Sequence, residues 1–197
     1  MALDIQSVRV RSTGGVWSTL ASGPLNCTSV EAASVGTACA VGLRLARAGT
    51  YTYIVPLDEL PAGVGTKIRI PMLPLVAGDS LEVMSEADVN WELQGTAIIS
   101  PRQFTAPLRT GGGTWTNIVT SAGQVMAFTA TNVGLLVAEV SVQVVTATGS
   151  ALLVPPELIP AGASRRKVPV TTLAVGDVLQ VRSTGAVDWL ATGVNAS

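Results

Sequence analysis

Apolar and polar residues alternate along much of the chain, which is the pattern of β-strands that bury one face. Lys67-Ile-Arg-Ile70 and Leu81-Glu-Val83 alternate in the first half, and Val140-Ser-Val-Gln-Val144 and Val178-Leu-Gln-Val-Arg182 in the second. Gly-Pro, Ala-Gly and Gly-Asp turn signals separate such segments at intervals of roughly 8–12 residues, as in β-sandwiches. No window shows the apolar period of a capped helix. The pattern predicts an all-β protein in which helix is minor.

The second half of the chain repeats the first half at an almost constant distance. Leu75-Val-Ala-Gly-Asp79 recurs 98 residues later as Leu173-Ala-Val-Gly-Asp177, and Leu60-Pro-Ala-Gly63 recurs 99 residues later as Ile159-Pro-Ala-Gly162. The single-residue difference indicates one deletion between these motifs. The four Trp form two pairs at the distance of 98, Trp17 with Trp115 and Trp91 with Trp189.

This repeat divides the chain into two copies, residues 1–99 and 100–197. About 98 residues with seven or eight short strands is the size of one sandwich domain. We therefore expect two tandem antiparallel β-sandwich domains, of jelly-roll or immunoglobulin-like type, related by internal duplication and joined near Ser100-Pro-Arg-Gln-Phe104. Pro71, Pro74 and Pro155-Pro156 interrupt their segments, which predicts edge strands or connectors because proline cannot donate to a sheet.

The repeated residues resemble a β-sandwich module of tailed-bacteriophage virion structural proteins. Each copy carries LPAG or IPAG, a short strand, L-x-x-GD-x-L-x-V and a closing strand with V-x-W that ends at Gly, over Leu60–Gly95 and Ile159–Gly193. The first half of each copy matches more weakly, with Val125–Val144 the better example. The resemblance implies a structural role in a virion, as a head decoration protein or a tail accessory protein.

The amino-acid composition excludes several classes of functional site. The 197 residues include no His, and 48% are hydrophobic, 4% aromatic and 13% charged, with a net charge of −1. Without His the commonest metal ligand and general base is missing, so we expect no zinc site and no His-activated nucleophile. The chain lacks the basic excess that binds nucleic acid. We expect a non-enzymatic protein with no catalytic residues, cofactor or metal and no nucleic-acid partner.

Two further segments bear on location. Met1–Arg9 contains an acid and no apolar run, which predicts no signal peptide and synthesis in the host cytoplasm. The uncharged stretch Thr110–Ala138 is interrupted by Gly, Asn, Ser and Thr. A membrane helix needs about 20 predominantly apolar residues, so we expect no membrane partner.

The Gly-Asp pairs are the acidic residues that both copies retain. Gly78-Asp79 and Gly176-Asp177 could suggest a hydrolase with two carboxylates, which would have to share one cleft about 5–10 Å apart. Equivalent positions of tandem domains do not converge in this way unless the domains face each other. The favoured interpretation is a turn in which the Asp side chain accepts hydrogen bonds from nearby backbone N–H groups.

The remaining candidates are aromatic or basic. Trp91 and Trp189 lie in phase with apolar neighbours and are predicted to be core residues. Trp17 and Trp115 follow Gly pairs and are candidates for an interface or for recognition. The run Arg165-Arg166-Lys167 follows the second Pro-Ala-Gly motif and is a further candidate for an interface or for recognition, of nucleic acid or of an acidic protein surface. A solvated loop is favoured over such a dedicated site.

Cys27 and Cys39 occur only in the first copy. Their counterparts at the distance of 98 are Val125 and Val137, which predicts two buried, unlinked thiols at core positions. A disulfide between neighbouring strands is the alternative.

Three function classes remain: a virion structural component, a carbohydrate-binding or host-adhesion module, and an enzyme. The low aromatic content disfavours a sugar-binding module, and only the Gly-Asp acids support an enzyme. We therefore expect a virion component carried in multiple copies on the head (decoration or cement) or on the tail or baseplate. The low charge predicts covered faces, with other copies in a trimer or ring, other virion proteins, or a host-surface glycan as partners.

Overall fold

A computed structural model describes residues 5–97, 102–167 and 171–196, with the side chains of residues 5 and 67–72 left undescribed. Strands dominate these residues, and none of them is helical, so no helix there could cross a membrane. The chain divides into two compact units, Met1–Pro101 and Arg102–Ser197. The second unit therefore begins two residues beyond the boundary of the sequence repeat.

The first unit is a pair of four-stranded antiparallel sheets. One sheet has the order β1-β8-β3-β6, and the other has the order β2-β7-β4-β5. Consecutive strands alternate between the sheets except β4 and β5, which pair with each other in one sheet. This is the order of a jelly roll and not the ABED/CFG order of an immunoglobulin domain. The strands are β1 (Ile5–Ser12), β2 (Ser18–Ser22), β3 (Leu25–Ser34), β4 (Cys39–Arg47), β5 (Thr50–Leu60), β6 (Gly65–Leu75), β7 (Asp79–Ser85) and β8 (Val89–Thr96).

The second unit repeats this order. One sheet is β10-β16-β12-β13, and in the other β14 and β15 both pair with β11, followed by β17 and β9. The prediction of two tandem, duplicated β-sandwiches is thus confirmed, and the jelly roll is the type. The strands are β9 (Gln103–Thr110), β10 (Thr116–Val119), β11 (Gly123–Asn132), β12 (Ala138–Thr146), β13 (Gly149–Ile159), β14 (Ser164–Lys167), β15 (Thr171–Leu173), β16 (Val178–Ser183) and β17 (Val187–Asn195).

The register of the sheets locates the one-residue change between the copies. Cys39 pairs with Leu60, and Ala138 pairs with Ile159 in the same way. The counterpart of Cys39 is therefore Ala138, and the assignment to Val137 is wrong. The cause is the loop between β11 and β12, which has one residue more than the loop between β3 and β4.

Each unit has an aliphatic core between its two sheets. Alternate residues of β4 and of β16 are buried, which is what the period of two along these strands predicts. Trp91 and Trp189 are fully buried at equivalent places, opposite Ala32 and Ala130, so their prediction as core residues is confirmed. The edge strands β6 and β13 contain the interrupting prolines.

A buried chain of hydrogen bonds joins the two sheets of each unit. The indole Nε1 of Trp91 donates to Ser12 Oγ at 2.7 Å, and Ser12 Oγ lies 2.5 Å from Ser85 Oγ. Ser12 and Trp91 belong to one sheet, and Ser85 ends β7 of the other. The second unit repeats the arrangement with Trp189, Thr110 and Ser183, at 2.7 and 2.6 Å.

Replacing Ser12 by alanine tests the importance of this chain. S12A leaves the buried indole N–H of Trp91 without its acceptor, so we expect the free energy of unfolding to fall by about 1–3 kcal/mol. Urea unfolding of the full chain, followed by circular dichroism, measures the change. The control is S22A, which removes an exposed hydroxyl from β2. Equal stability of the two variants would contradict the prediction.

Candidate interaction surface

The Gly-Asp pairs lie in tight turns. The Asp79 carboxylate accepts a hydrogen bond from Val76 N at 3.0 Å, and Asp79 N donates to Val76 O at 3.0 Å. Gly78 has a φ of +91°, a conformation that L side chains rarely adopt. The second unit builds the same turn from Ala174, Gly176 and Asp177.

The two carboxylates differ in their surroundings. Asp79 is 2% exposed, and the guanidinium of Arg47 donates to its two oxygens at 2.7 and 2.6 Å. The register places Thr146 at the position of Arg47 in the second unit. Asp177, which is only half-buried, therefore has no equivalent of this ion pair. Both acids are engaged in the turns of their own units.

This difference predicts unequal effects of removing the two carboxylates. D79A loses a turn bond and the charged partner of Arg47, so we expect it to cost about 2–4 kcal/mol of unfolding free energy. D177A loses the turn bond alone, which is worth about 1 kcal/mol. Urea unfolding of both variants measures the difference, with each serving as the control for the other. Equal losses would count against the structural role assigned to Arg47.

Trp17 is part of an aromatic cluster on the outer face of the first unit. The Arg44 guanidinium lies 4.0 Å from the centre of the Trp17 ring and 3.7 Å from that of Tyr51. Tyr53 meets Trp17 edge to face at 5.7 Å, and Glu82 fixes Arg44 at 2.7 Å. We call Trp17, Arg44, Tyr51 and Tyr53 the aromatic cluster.

Trp115 has simpler surroundings in the second unit. It is half-buried, with the Arg182 guanidinium 5.4 Å from its ring centre and Glu139 bound to Arg182 at 2.9 Å. Ser150 and Leu152 stand at the register positions of the two tyrosines. The structure therefore places the two candidate tryptophans in different chemical environments.

The basic run Arg165-Arg166-Lys167 lies in a strand, so its assignment to a loop is wrong. It forms most of β14, which pairs with β11 at the edge of its sheet. Glu157 pairs with Lys167 at 2.8 Å and with Arg165 at 3.6 Å, and burial lowers the pKa of Arg166. Charged side chains on an edge strand hinder pairing with a further strand, which explains basic residues in this strand.

Both cysteines are free and buried. Burial raises the pKa of the Cys27 thiol from an ordinary value of 9.0 to about 12. The neutral thiol is therefore favoured in the folded chain. Below pH 9 the thiol is neutral in both the folded and the unfolded chain, so its ionisation does not affect stability. Between pH 9 and about 12 the unfolded chain loses this proton more readily than the folded chain, so the free energy of unfolding falls as the pH rises.

Replacing Cys27 by valine, the residue at the equivalent position 125, tests this account. We expect the stability of the wild type to fall relative to that of C27V above pH 9, by at most about 1.4 kcal/mol per pH unit. Urea unfolding between pH 7 and pH 11 measures both proteins, with C27V as the reference for every other titrating group. Parallel pH profiles would show that Cys27 does not titrate in this way.

Four loops meet at one end of the second unit. Val133 N donates to Ala186 O at 3.0 Å, and Asn132 N donates to Ala163 O at 2.9 Å. Gly111 lies against Gly185. None of the residues in these loops is charged. We call this surface the uncharged apex; it consists of residues 111–114, 133–137, 160–163 and 184–186.

Three consecutive apolar side chains project from the uncharged apex. Leu135 is 96% exposed, Leu136 82% and Val137 56%. Isolated exposed apolar residues are common on soluble proteins, whereas the largest contiguous group of them is often a functional surface. Leu135–Val137, the apolar tip, is therefore the strongest candidate for a functional site.

A buried side-chain amide fixes the loop that carries the apolar tip. Asn132 Nδ2 donates to the carbonyl oxygens of Leu136 and Ile159 at 2.8 and 2.9 Å, and Gly134 N donates to Asn132 Oδ1 at 2.9 Å. Asn132 is fully buried. These bonds hold the loop in its projecting conformation instead of letting the leucines fold back.

The apolar tip was not predicted from the sequence, because apolar residues beside a strand suggest burial. Two signals were available. Val133-Gly-Leu-Leu-Val137 breaks the alternation of the flanking strands, and the repeat distance changes between Thr131-Asn132 and the second Pro-Ala-Gly motif. In the described residues there is no group of three or more acidic or Cys side chains placed to hold a metal.

No protein-family model and no curated protein matches this chain. Among solved structures, one of the infectious bursal disease virus Gx strain is 9% identical, with a TM-score of 0.33 over 100% of this chain and 73% of that one. The PBSX exported protein XepA is 9% identical, with a TM-score of 0.32 over 97% and 86%. Allantoicase from Saccharomyces cerevisiae is 9% identical, with a TM-score of 0.35 over 86% and 74%. Likeness at this level carries no argument about function.

Proposed function

We propose that the protein is a non-enzymatic structural component of a tailed-phage virion. It is carried in multiple copies on the head surface, as a decoration or cement protein, or on the tail or baseplate. The observation that carries the proposal is the apolar tip, whose large side chains are held in solvent by a buried amide. Such a surface serves attachment and has no catalytic geometry of its own.

The use of charge in the fold supports this proposal. Arg44 pairs with Glu82, Arg47 with Asp79, and Arg109 with Asp188 at 2.5 Å. Each pair joins neighbouring strands of one sheet, so these charges are committed within a unit. The uncharged loops are correspondingly suited to contacts with other protein surfaces.

The motif resemblance supports the choice of a tailed-phage virion as the particle. Its Gly-Asp and V-x-W elements fall on turn and core residues, so they bear on the type of module and not on its place in a particle. Multiple copies suit a subunit whose single contacts are weak, because linked contacts add by multivalency. The partners in this proposal are other copies, in a trimer or ring, and other virion proteins, after synthesis in the host cytoplasm.

A host-surface glycan is the second candidate partner, and the aromatic cluster favours it. Tyr51 is 47% exposed beside the Arg44 guanidinium, and an aromatic ring next to polar donors is a surface that sugars can use. Arg44 covers one ring face of both Trp17 and Tyr51. Tyr51 is the more exposed of the two rings, so it is the residue on which we expect a glycan to stack.

Quantitative mass spectrometry of purified particles tests the proposed function. We expect the protein in intact virions at a fixed ratio to the major capsid protein. On the order of hundreds of copies would place it on the head, and about three to twelve would place it on the tail. Antibody labelling of intact particles locates it independently.

Absence from the particles would overturn the proposal. Glycan-array binding by the free protein that Y51A abolishes would then favour the adhesion module. S150A changes the equivalent position of the second unit and is the matched control.

A further inference from the structure

We infer that the uncharged apex is the surface through which copies of this chain associate with one another. The apolar tip of one copy packs against the uncharged apex of its neighbours. This inference rests on the proposed function, because it names the partner of the surface that carries it.

The first unit provides an internal comparison. The same end of that unit carries Glu86 and Asp88, where the second unit has Thr184 and Ala186. Asp88 is further bound to Arg11. Acids are therefore present at the end that lacks the leucines and absent at the end that has them.

The absence of charge favours self-association close to a symmetry axis. There each side chain approaches its own copies, so a charged residue meets like charges, at a cost of several kcal/mol. Farther from the axis opposite charges of two copies can pair, but at the axis an identical copy offers no opposite charge, whereas a partner of different sequence could. A wholly uncharged surface therefore fits a second copy of this chain.

Hydrogen bonds also fix the loop of the apolar tip before any partner binds. The loop that carries the apolar tip has one residue more than its counterpart, and Asn132 replaces Ser34 at its base. The side chain of Asn132 bonds this loop at two points, Gly134 and Leu136, and ties it to the end of β13 at Ile159. A contact made by a fixed loop avoids much of the entropy cost of ordering it on binding.

Surface cavities of the first unit do not suit the apolar tip. One, of about 450 Å³, is lined by Arg9, Arg11, Glu31 and Glu92, and another, of about 340 Å³, includes Asp88. Inserting leucines there would remove water from charged groups. Contact between apexes is favoured over insertion of an apex into either cavity.

The size of the contact determines its strength. An exposed group of three such side chains covers a few hundred Å², below the roughly 800 Å² per partner of a standard interface. We therefore expect association that depends on protein concentration in solution and is reinforced where many copies share one particle.

Sedimentation velocity of the purified full chain over a concentration series tests the inference. The wild type should gain mass with concentration, and L135S/L136S should sediment as a monomer throughout. Both leucines are exposed, so their replacement leaves the core intact, which circular dichroism verifies. The control is V175S: Val175 is 93% exposed and lies at the opposite end of the unit, beyond Leu173, which pairs with the first residue of β11.

Cross-linking gives a second, independent readout. Because Cys27 and Cys39 are buried, L135C adds one accessible thiol. A trifunctional maleimide should join L135C into covalent oligomers, and their size gives the number of copies that meet. The matched control is V35C, in the equivalent loop of the first unit, which should remain a monomer.

Equal sedimentation of the wild type and L135S/L136S, or no cross-linking of L135C beyond that of V35C, would overturn the inference. The inference would also be overturned if the wild type floated with phosphatidylcholine vesicles and L135S/L136S did not. That result would show that the apolar tip binds a membrane. Protein found in virions despite these results would leave the proposed function standing. Self-association of a protein absent from virions would support the inference and refute the function.

Discussion

The buried hydrogen bond from the tryptophan indole to a hydroxyl group is the constraint on which each jelly roll depends. In the second unit, Trp189 binds Thr110, and Thr110 meets Ser183 of the opposite sheet. Thr110 ends β9 and Ser183 ends β16, so the two sheets are joined where the apex loops begin. The loops thus project from a fixed base, and the position of the apolar tip follows from the core.

The two units share the jelly-roll strand order and the buried tryptophan bonds, but they differ in the polar side chains on their sheets. Arg44 and Glu82 form an ion pair in the first unit, whereas Gln143 and Gln180 form a neutral hydrogen bond of 2.8 Å at the same register positions. A neutral pair preserves the contact between strands without the cost of desolvating charges. The units therefore share an architecture and present different chemistry.

The sequence was sufficient to predict the strands, the duplication and the buried tryptophans, because each depends on local alternation or on direct repetition. The jelly-roll strand order required the structure, since pairing between β1 and β8 joins residues far apart in the chain. The counterpart of Cys39 was misplaced because the distance of 98 was applied across a loop in which it becomes 99, and the two distances alone do not show at which residue the change occurs. Exposure of Leu135 also depends on tertiary structure, because hydrophobicity alone suggests burial.

Two edge strands carry features that oppose pairing between copies held close together. These are the basic residues of β14 and the prolines of β13. Many copies on one particle would bring sheet edges to high local concentration, where unprotected edges join into open-ended fibrils. The charged side chains of β14 would be buried by a strand added from another copy, and Pro155 and Pro156 offer no N–H group to such a strand, so both features oppose this growth. With such edges, many copies could lie side by side on one particle without their sheets joining into amyloid fibrils.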